Sequence, residues 1–256
     1  MSGAPRWSYV QARLQARHGD RLQEPDWRAI EAARSIDQFL ERVRGSSLRR
    51  FTERITARMS SHAVERMLRD AWRVYVAELA DWVPQAWRPA VLWTSLVPHL
   101  PLIDGLLGGA APAWIEQDPA FAELATTDRA ARRVAPASSP LAALVALGTR
   151  EGPLAARWHV HWHSLWPRRP AADRALLEIA SAIKAHIGRL EHAGLQETSA
   201  PYRGELAIAL TRLFRQHAGT PAALFCHLAL VALDLERLRG GLVRRRLFEP
   251  NAKDAA

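Results

Sequence analysis

Three histidines in one helical stretch have the spacing that comes closest to a metal site. His159 and His163 stand four residues apart, so on a helix they share one face and could bind a zinc ion together, whereas His161 lies elsewhere on the circumference. Three tryptophans recur at the same interval beside them: Trp158, Trp162 and Trp166. The stretch has no His-Glu-x-x-His pattern and no cysteine to act as a third ligand. We therefore predict an aromatic packing stripe, and no structural metal, at His159, His161 and His163.

The remaining reactive side chains form no catalytic pattern. Cys226 is the single cysteine, which excludes an intrachain disulfide and a multi-cysteine metal site. It stands in an apolar helix, where we expect a small buried side chain. The sequence has no phosphate-binding loop, dinucleotide fingerprint or nucleophile elbow. We predict a protein that is not an enzyme, holds no cofactor and does not bind or hydrolyse ATP.

Positive charge is the most distinctive feature of the composition. The 256 residues include 35 basic and 26 acidic side chains, and all the basic ones except Lys184 and Lys253 are arginine. The net charge of +9 favours acidic partners such as nucleic acid, anionic lipid or an acidic protein. Because zinc-finger, RNP-type and leucine-zipper motifs are missing, only the charge supports binding to nucleic acid.

The last helix combines an apolar root with a basic end. Thr220 and Pro221 are typical of a helix start, and Leu224, Leu228 and Val231 recur at helical spacing. A helix that is apolar on nearly every side belongs inside a bundle. Its last turns carry four arginines for which we predict exposure and contact with an acidic partner surface: Arg239, Arg244, Arg245 and Arg246. The alternative is a core helix with cations near the negative end of its dipole.

The elements that position these residues all have helical periodicity, and no segment alternates like a strand. We predict an all-α fold, a bundle or funnel of packed antiparallel helices, in a single domain of residues 1–256 with a candidate internal boundary at 126–139. The main helical stretches are 7–18, 25–33, 36–43, 48–83 with a break at Ser60 and Ser61, 152–166, one that contains Leu176 and stops near Gly194, one that starts at Ser199 and ends before Gly219, and 220–248. Capping signals at Ser35, Ser199 and Thr220 mark three of the starts.

An apolar stretch at residues 89–115 is long enough to span a bilayer and contains one charge, Asp104. Prolines and glycines interrupt it, so we predict two short buried helices joined at Pro98–Pro101 and a protein that is soluble when expressed alone. Trp82, Trp87 and Trp93 are expected to anchor that core. The N-terminus lacks the apolar core of a signal peptide, so a cytoplasmic location is expected.

Two segments resemble one protein family. The first contains Tyr9-x-x-Ala12-Arg13 and Ser35-Ile36-Asp37-x-Phe39-Leu40, and it ends at a hydrophobic Leu48. The second, Asp234-Leu235-Glu236-x-Leu238-Arg239, is similar to a late Glu-x-x-Asn-Leu-Arg helix, with Arg237 in place of the asparagine. Both segments resemble the C/d subunits of A-type and V-type rotary ATPases, which are typically longer. The matching structural positions are Tyr9, Arg13, Phe39, Leu40, Glu236 and Leu238.

The resemblance implies a non-catalytic central-stalk subunit of an ion-transporting rotary motor. Such a subunit sits on the membrane ring, receives the central shaft and couples torque without hydrolysing ATP. Its partners are the other subunits, and it is peripheral on the cytoplasmic face of the membrane. Two alternatives stay open: a helical adaptor of another complex, and a basic helical nucleic-acid-binding protein.

Overall fold

A computed structural model describes residues 4–108, 115, 118, 121, 141–148, 153–167, 170–193 and 200–248. Over these residues the fold is all-α, as predicted, and no strand occurs in this part of the chain. The α-helices are α1 (Ala4–Gly19), α2 (Glu24–Glu31), α3 (Ile36–Arg44), α4 (Arg49–Thr52), α5 (Ser61–Trp82), α6 (Arg88–Trp93), α7 (Leu100–Leu107), α8 (Ala142–Gly148), α9 (Leu154–Ser164), α10 (Pro170–Ala193), α11 (Ala200–Gln216) and α12 (Pro221–Phe248).

Residue contacts divide the chain into two compact units. Unit 1 comprises Met1–Leu68, Trp82–Pro84 and Arg168–Ala256, and unit 2 comprises Arg69–Asp81 and Gln85–Pro167. The division passes through α5, so one continuous helix contributes residues to both units. The candidate boundary at 126–139 lies outside the described residues and stays a prediction.

Serine side chains cap the starts of two helices, the predicted cap at Ser35 and a second at Ser60, where the sequence indicated a break. The Ser35 hydroxyl accepts a hydrogen bond from the Gln38 backbone N–H at 3.2 Å, and Ser60 accepts one from Ala63 at the same distance. The second cap explains why the stretch 48–83 breaks before Ser61. Thr220 behaves differently from the expected cap, because its hydroxyl donates to the His217 carbonyl oxygen at 2.7 Å. Ser199 lies outside the described residues.

The first half of α12 forms the core of unit 1. Every residue from Pro221 to Leu228 is buried, and α12 packs against α1, α3, α10 and α11. Cys226 is fully buried, and this burial raises the pKa of its thiol to about 12. A thiol with so high a pKa is protonated at neutral pH and is a poor nucleophile. The expectation that α12 lies inside a bundle, with Cys226 as a packing residue, is confirmed.

Two adjacent glycines of α12 offer a sharp test of this packing. A Cβ atom added at Gly241 would lie 2.6 Å from Cζ of the fully buried Phe39, whereas one added at Gly240 would meet nothing within 4 Å. Gly241→Ala is therefore expected to lower the free energy of unfolding by ~1–3 kcal/mol, since the ring must move in a packed core. Gly240→Ala should raise it by ~0.5–1 kcal/mol through helix propensity. Urea unfolding of both variants decides this, and two shifts of the same sign would contradict the packing of α3 on α12.

A buried histidine in α12 predicts acid sensitivity. Burial, reinforced by Arg21, His18 and Arg17, lowers the pKa of His227 to about 3. Below pH ~6.5 the unfolded chain therefore binds a proton that the folded chain does not, and stability is lost as the pH falls. At pH 5 this histidine alone should cost ~2 kcal/mol relative to pH 8. Thermal unfolding of wild type and His227→Gln across this range checks it, because the variant should lose that part of the pH dependence.

Unit 2 contains buried tryptophans and a buried ion pair. The Trp72 indole N–H donates to the Thr94 carbonyl oxygen at 3.1 Å, and the Trp93 indole N–H donates to the Trp158 carbonyl oxygen at 3.3 Å. Arg69 and Asp118 are both buried, and their charged atoms lie 2.5 Å apart. Trp87 and Trp93 are buried here, as predicted, whereas Trp82 is buried in unit 1, where Arg13 and Arg17 lie over its ring.

The apolar stretch is broken into short helices. α6 ends at Trp93, a 3-10 helix with Pro98 inside it covers Thr94–His99, and Pro101 lies in the first turn of α7. The predicted pair of short helices joined at Pro98–Pro101 is confirmed, with a 3-10 helix between α6 and α7. Within the described part of the chain, Gln85–Leu107 is the one segment long and apolar enough to cross a membrane by length and composition alone. Core helices of soluble proteins pass the same test, so this property is weak evidence of a membrane span.

Candidate partner interface

Each of the three histidines of the possible metal site contacts a tryptophan of unit 2, two of them in the tryptophan stripe. Trp158 stacks on Trp162 at 5.9 Å between ring centroids, and Trp166 meets Trp162 edge-on at 4.8 Å. His159 lies against Trp162, His163 against Trp166, and His161 against Trp93, at 4.4 to 5.7 Å between ring centroids. The predicted aromatic stripe is confirmed. Among the described residues, no group of three or more His, Cys, Asp or Glu side chains is placed to hold a metal ion.

In unit 1, the first family-like segment begins with an ordered pair of exposed side chains. An Arg13 guanidinium N–H donates to the Tyr9 hydroxyl at 2.7 Å, and the guanidinium lies 4.1 Å from the centre of the Trp82 ring. Arg17 lies over the same ring at 4.4 Å. Tyr9 is 54% exposed, whereas Trp82 is buried. α1 therefore presents a tyrosine and an arginine that are already fixed in position.

Phe39 and Leu40 form the inner face of α3. Both are buried, Phe39 completely, and α3 packs against α2, α4 and α12. The guanidinium of Arg245 lies 4.1 Å from the centre of the Phe39 ring. The two family-like positions on α3 are thus core residues that hold α12 in place.

A buried ion pair joins the two family-like segments. Arg21, just after α1, donates to both carboxylate oxygens of Asp234 on α12, at 2.8 and 2.9 Å. Only about a tenth of either side chain is exposed. Burial raises the pKa of the Asp234 carboxyl, and the hydrogen bonds from Arg21 oppose that shift. Because a buried charge without its counter-ion is costly, this contact fixes where α12 meets the chain after α1.

Arg237, where the sequence departs from the family pattern, makes a second junction. Its guanidinium donates to the carboxylates of Glu24 and Glu31 on α2, with shortest distances of 2.7 Å, and lies 4.7 Å from the centre of the Trp27 ring. The hydrogen bonds from Arg237 lower the pKa of both glutamates. Next to it, Leu238 is fully buried and Glu236 is exposed, 3.9 Å from Arg203. An arginine at this position ties α12 to α2 with charge-assisted bonds.

The four arginines at the end of α12 do not form the exposed tip that was predicted. Arg245 is buried and donates to the carbonyl oxygens of Glu31, Ala33 and Gly241. Arg246 is half-buried and donates to the Ala57 carbonyl at 3.1 Å. The prediction is therefore wrong for Arg245, whose guanidinium makes four hydrogen bonds to backbone carbonyl oxygens of unit 1.

Arg239 and Arg244 are the exposed members of the set. Arg239 is 55% exposed and pairs with Glu65 at 2.5 Å, and Arg244 is exposed near Glu31. Contact with an acidic partner stays a prediction for these two residues. Charge reversal at all four positions is expected to disturb the fold, because Arg245 is part of the core.

Unit 1 exposes Tyr9 and Arg13 on α1 and Arg244 near the end of α12. Exposed tyrosine and arginine side chains are common at the centres of protein interfaces. Comparison of the chain with protein-family models, with curated protein sequences and with solved structures finds no match in any of the three.

Proposed function

We propose that the chain is a short, non-catalytic central-stalk subunit of an A-type or V-type rotary ATPase, similar to the C/d subunits. The observation that supports this most is the junction between the two family-like segments. Residues from opposite ends of the sequence, Arg21 with Asp234 and Arg237 with Glu24, meet in one compact unit. The resemblance therefore concerns one folded body instead of two unconnected motifs.

The physical character of this junction fits a part that transmits torque. Such a part must resist deformation, and α12 is fixed to α1, α2 and α3 by packed apolar side chains and by charge-assisted hydrogen bonds. We expect its partners to be the membrane ring and the central shaft, and its place to be the cytoplasmic face of the membrane. It contributes no catalytic group, and ATP is hydrolysed by other subunits.

Deletion of the gene, followed by complementation, tests the role in coupling. Inverted membrane vesicles from the deletion strain are expected to lose ATP-driven ion transport, while the released soluble part of the motor keeps its ATPase activity. Complementation with wild type should restore transport. Undiminished transport in the deletion strain would reject the proposal and favour a helical adaptor of another complex.

A further inference from the structure

Residues 42–58, here called the basic segment, carry the largest group of exposed arginines among the described residues of unit 1. They contain six arginines, all exposed, and one glutamate: Arg42, Arg44, Arg49, Arg50, Arg54, Arg58 and Glu53. The basic segment comprises the last turns of α3, a turn, α4 and the loop that leads toward α5. The sequence had suggested the exposed arginines at the end of α12, whereas this group lies in a different segment of unit 1.

The basic segment is held rigidly beneath its arginines. Val43, Leu48, Phe51 and Ile55 are buried at intervals along it, so every arginine is on the outer side. Arg44 donates to the Ile55 carbonyl at 2.5 Å, and Arg246 of α12 donates to the Ala57 carbonyl at 3.1 Å. A surface fixed in this way loses little conformational entropy when a partner binds.

Two of these arginines, Arg54 and Arg58, have their charge available for a partner. Others already have a partner within unit 1: Arg49 lies 3.6 Å from Glu53, and Arg42 donates to the Ala29 carbonyl. Within the part of the chain that the structure describes, Arg54 and Arg58 have no hydrogen bond or ion pair. An exposed guanidinium without an internal partner can bind a carboxylate through two parallel hydrogen bonds.

We propose that the basic segment is the docking surface for a carboxylate-rich segment of a partner protein. Lipid is disfavoured because the large apolar side chains here are buried, which leaves none to insert into a bilayer. Single-stranded nucleic acid is disfavoured because Phe51, the one aromatic residue of the segment, is also buried and cannot stack on a base. Glu53, among the arginines, would repel a phosphate backbone. This inference goes beyond the proposed function and holds whichever complex contains the partner.

A binding assay with a matched control tests the proposal. The probe is a short fluorescent helical peptide with glutamate along one face, and its counterpart has glutamine at those positions. The test variant is Arg54→Glu with Arg58→Glu. The control variant, Arg212→Glu with Arg215→Glu, makes the same change of charge at two exposed positions of α11. Thermal unfolding of each variant confirms that the fold is retained.

At low salt the test variant is expected to bind the glutamate peptide about tenfold more weakly than wild type, because two exposed ion pairs are replaced by repulsion. The control variant should bind like wild type, and the glutamine peptide should not bind. Equal loss in both variants, or no binding of the glutamate peptide to wild type, would overturn the proposed surface. Tighter binding to a DNA duplex or to phosphatidylglycerol vesicles, lost in the test variant, would overturn the proposed partner class.

Discussion

Arg245→Glu is expected to destabilise unit 1 by ~3–5 kcal/mol, which is a large part of the ~5–15 kcal/mol that stabilises a typical domain. The arginine donates to the carbonyl oxygens of Glu31, Ala33 and Gly241 and covers the Phe39 ring. A glutamate at this place would bury a carboxylate against carbonyl oxygens, where it finds no donor from these groups and is repelled by them. The variant should therefore unfold at a much lower denaturant concentration than wild type.

The neighbouring residue provides the matched control. Arg244 is exposed, so Arg244→Glu makes the same change of charge one position away and should change stability by less than ~1 kcal/mol. Equilibrium urea unfolding of the two variants measures both values. Similar stability of the two variants would contradict the burial of Arg245 and restore the exposed tip that the sequence suggested.

Arg21→Ala is the second change for which a large effect is expected, again ~3–5 kcal/mol at neutral pH. The substitution removes both hydrogen bonds to the Asp234 carboxylate and leaves a buried negative charge. Replacing both partners together, with Arg21→Met and Asp234→Leu, should recover most of the loss because no charge is then buried. Arg28→Ala, at an exposed ion pair with Glu24, is the control and should cost less than ~1 kcal/mol.

The dependence of this loss on pH separates an electrostatic effect from a packing effect. Burial already raises the pKa of Asp234 above its ordinary value, and removal of the opposing hydrogen bonds and charge of Arg21 raises it further. Its folded form then binds a proton more readily than the unfolded chain, so stability falls as the pH rises through that range. The difference between Arg21→Ala and wild type should thus shrink as the pH is lowered toward 4. A difference that stays constant with pH would show that the pair contributes only through packing.

Much of the fold follows from local signals that the sequence contains. Apolar spacing predicted the buried root of α12, and Ser35 and Ser60 each precede a helix whose first turn they cap. These features depend on residues within one or two helical turns of each other, which is why sequence reasoning reaches them. The tryptophan stripe of α9 was predictable for the same reason.

Which arginines are buried and which are exposed was not predictable in this way. Arg244 and Arg245 are neighbours of one type, but a helix turns 100° per residue, so one faces solvent and the other faces α3. Two acceptors of Arg245, the carbonyl oxygens of Glu31 and Ala33, lie more than two hundred residues earlier in the chain. The same holds for Arg21 and Asp234, whose pairing depends on how α1 and α12 meet. Only the tertiary structure determines which of the 33 arginines remain available for a partner.

This distinction changes where a partner is expected to bind. The run of arginines at the end of α12 predicts a partner contact in the sequence, but in the structure Arg237, Arg245 and Arg246 bind groups within unit 1. The basic segment is less conspicuous in the sequence because apolar residues separate its charges, and in the structure those apolar residues are buried. Its pattern of buried Val43, Leu48, Phe51 and Ile55 was the signal that could have identified it.

Affinity purification of the tagged full-length protein from native membranes tests the central claim most directly. We expect the catalytic, shaft and membrane-ring subunits of one rotary ATPase to copurify with it at low and moderate salt. Recovery of an unrelated complex, with every rotary-ATPase subunit missing from the eluate, would contradict the account and assign the protein to another assembly.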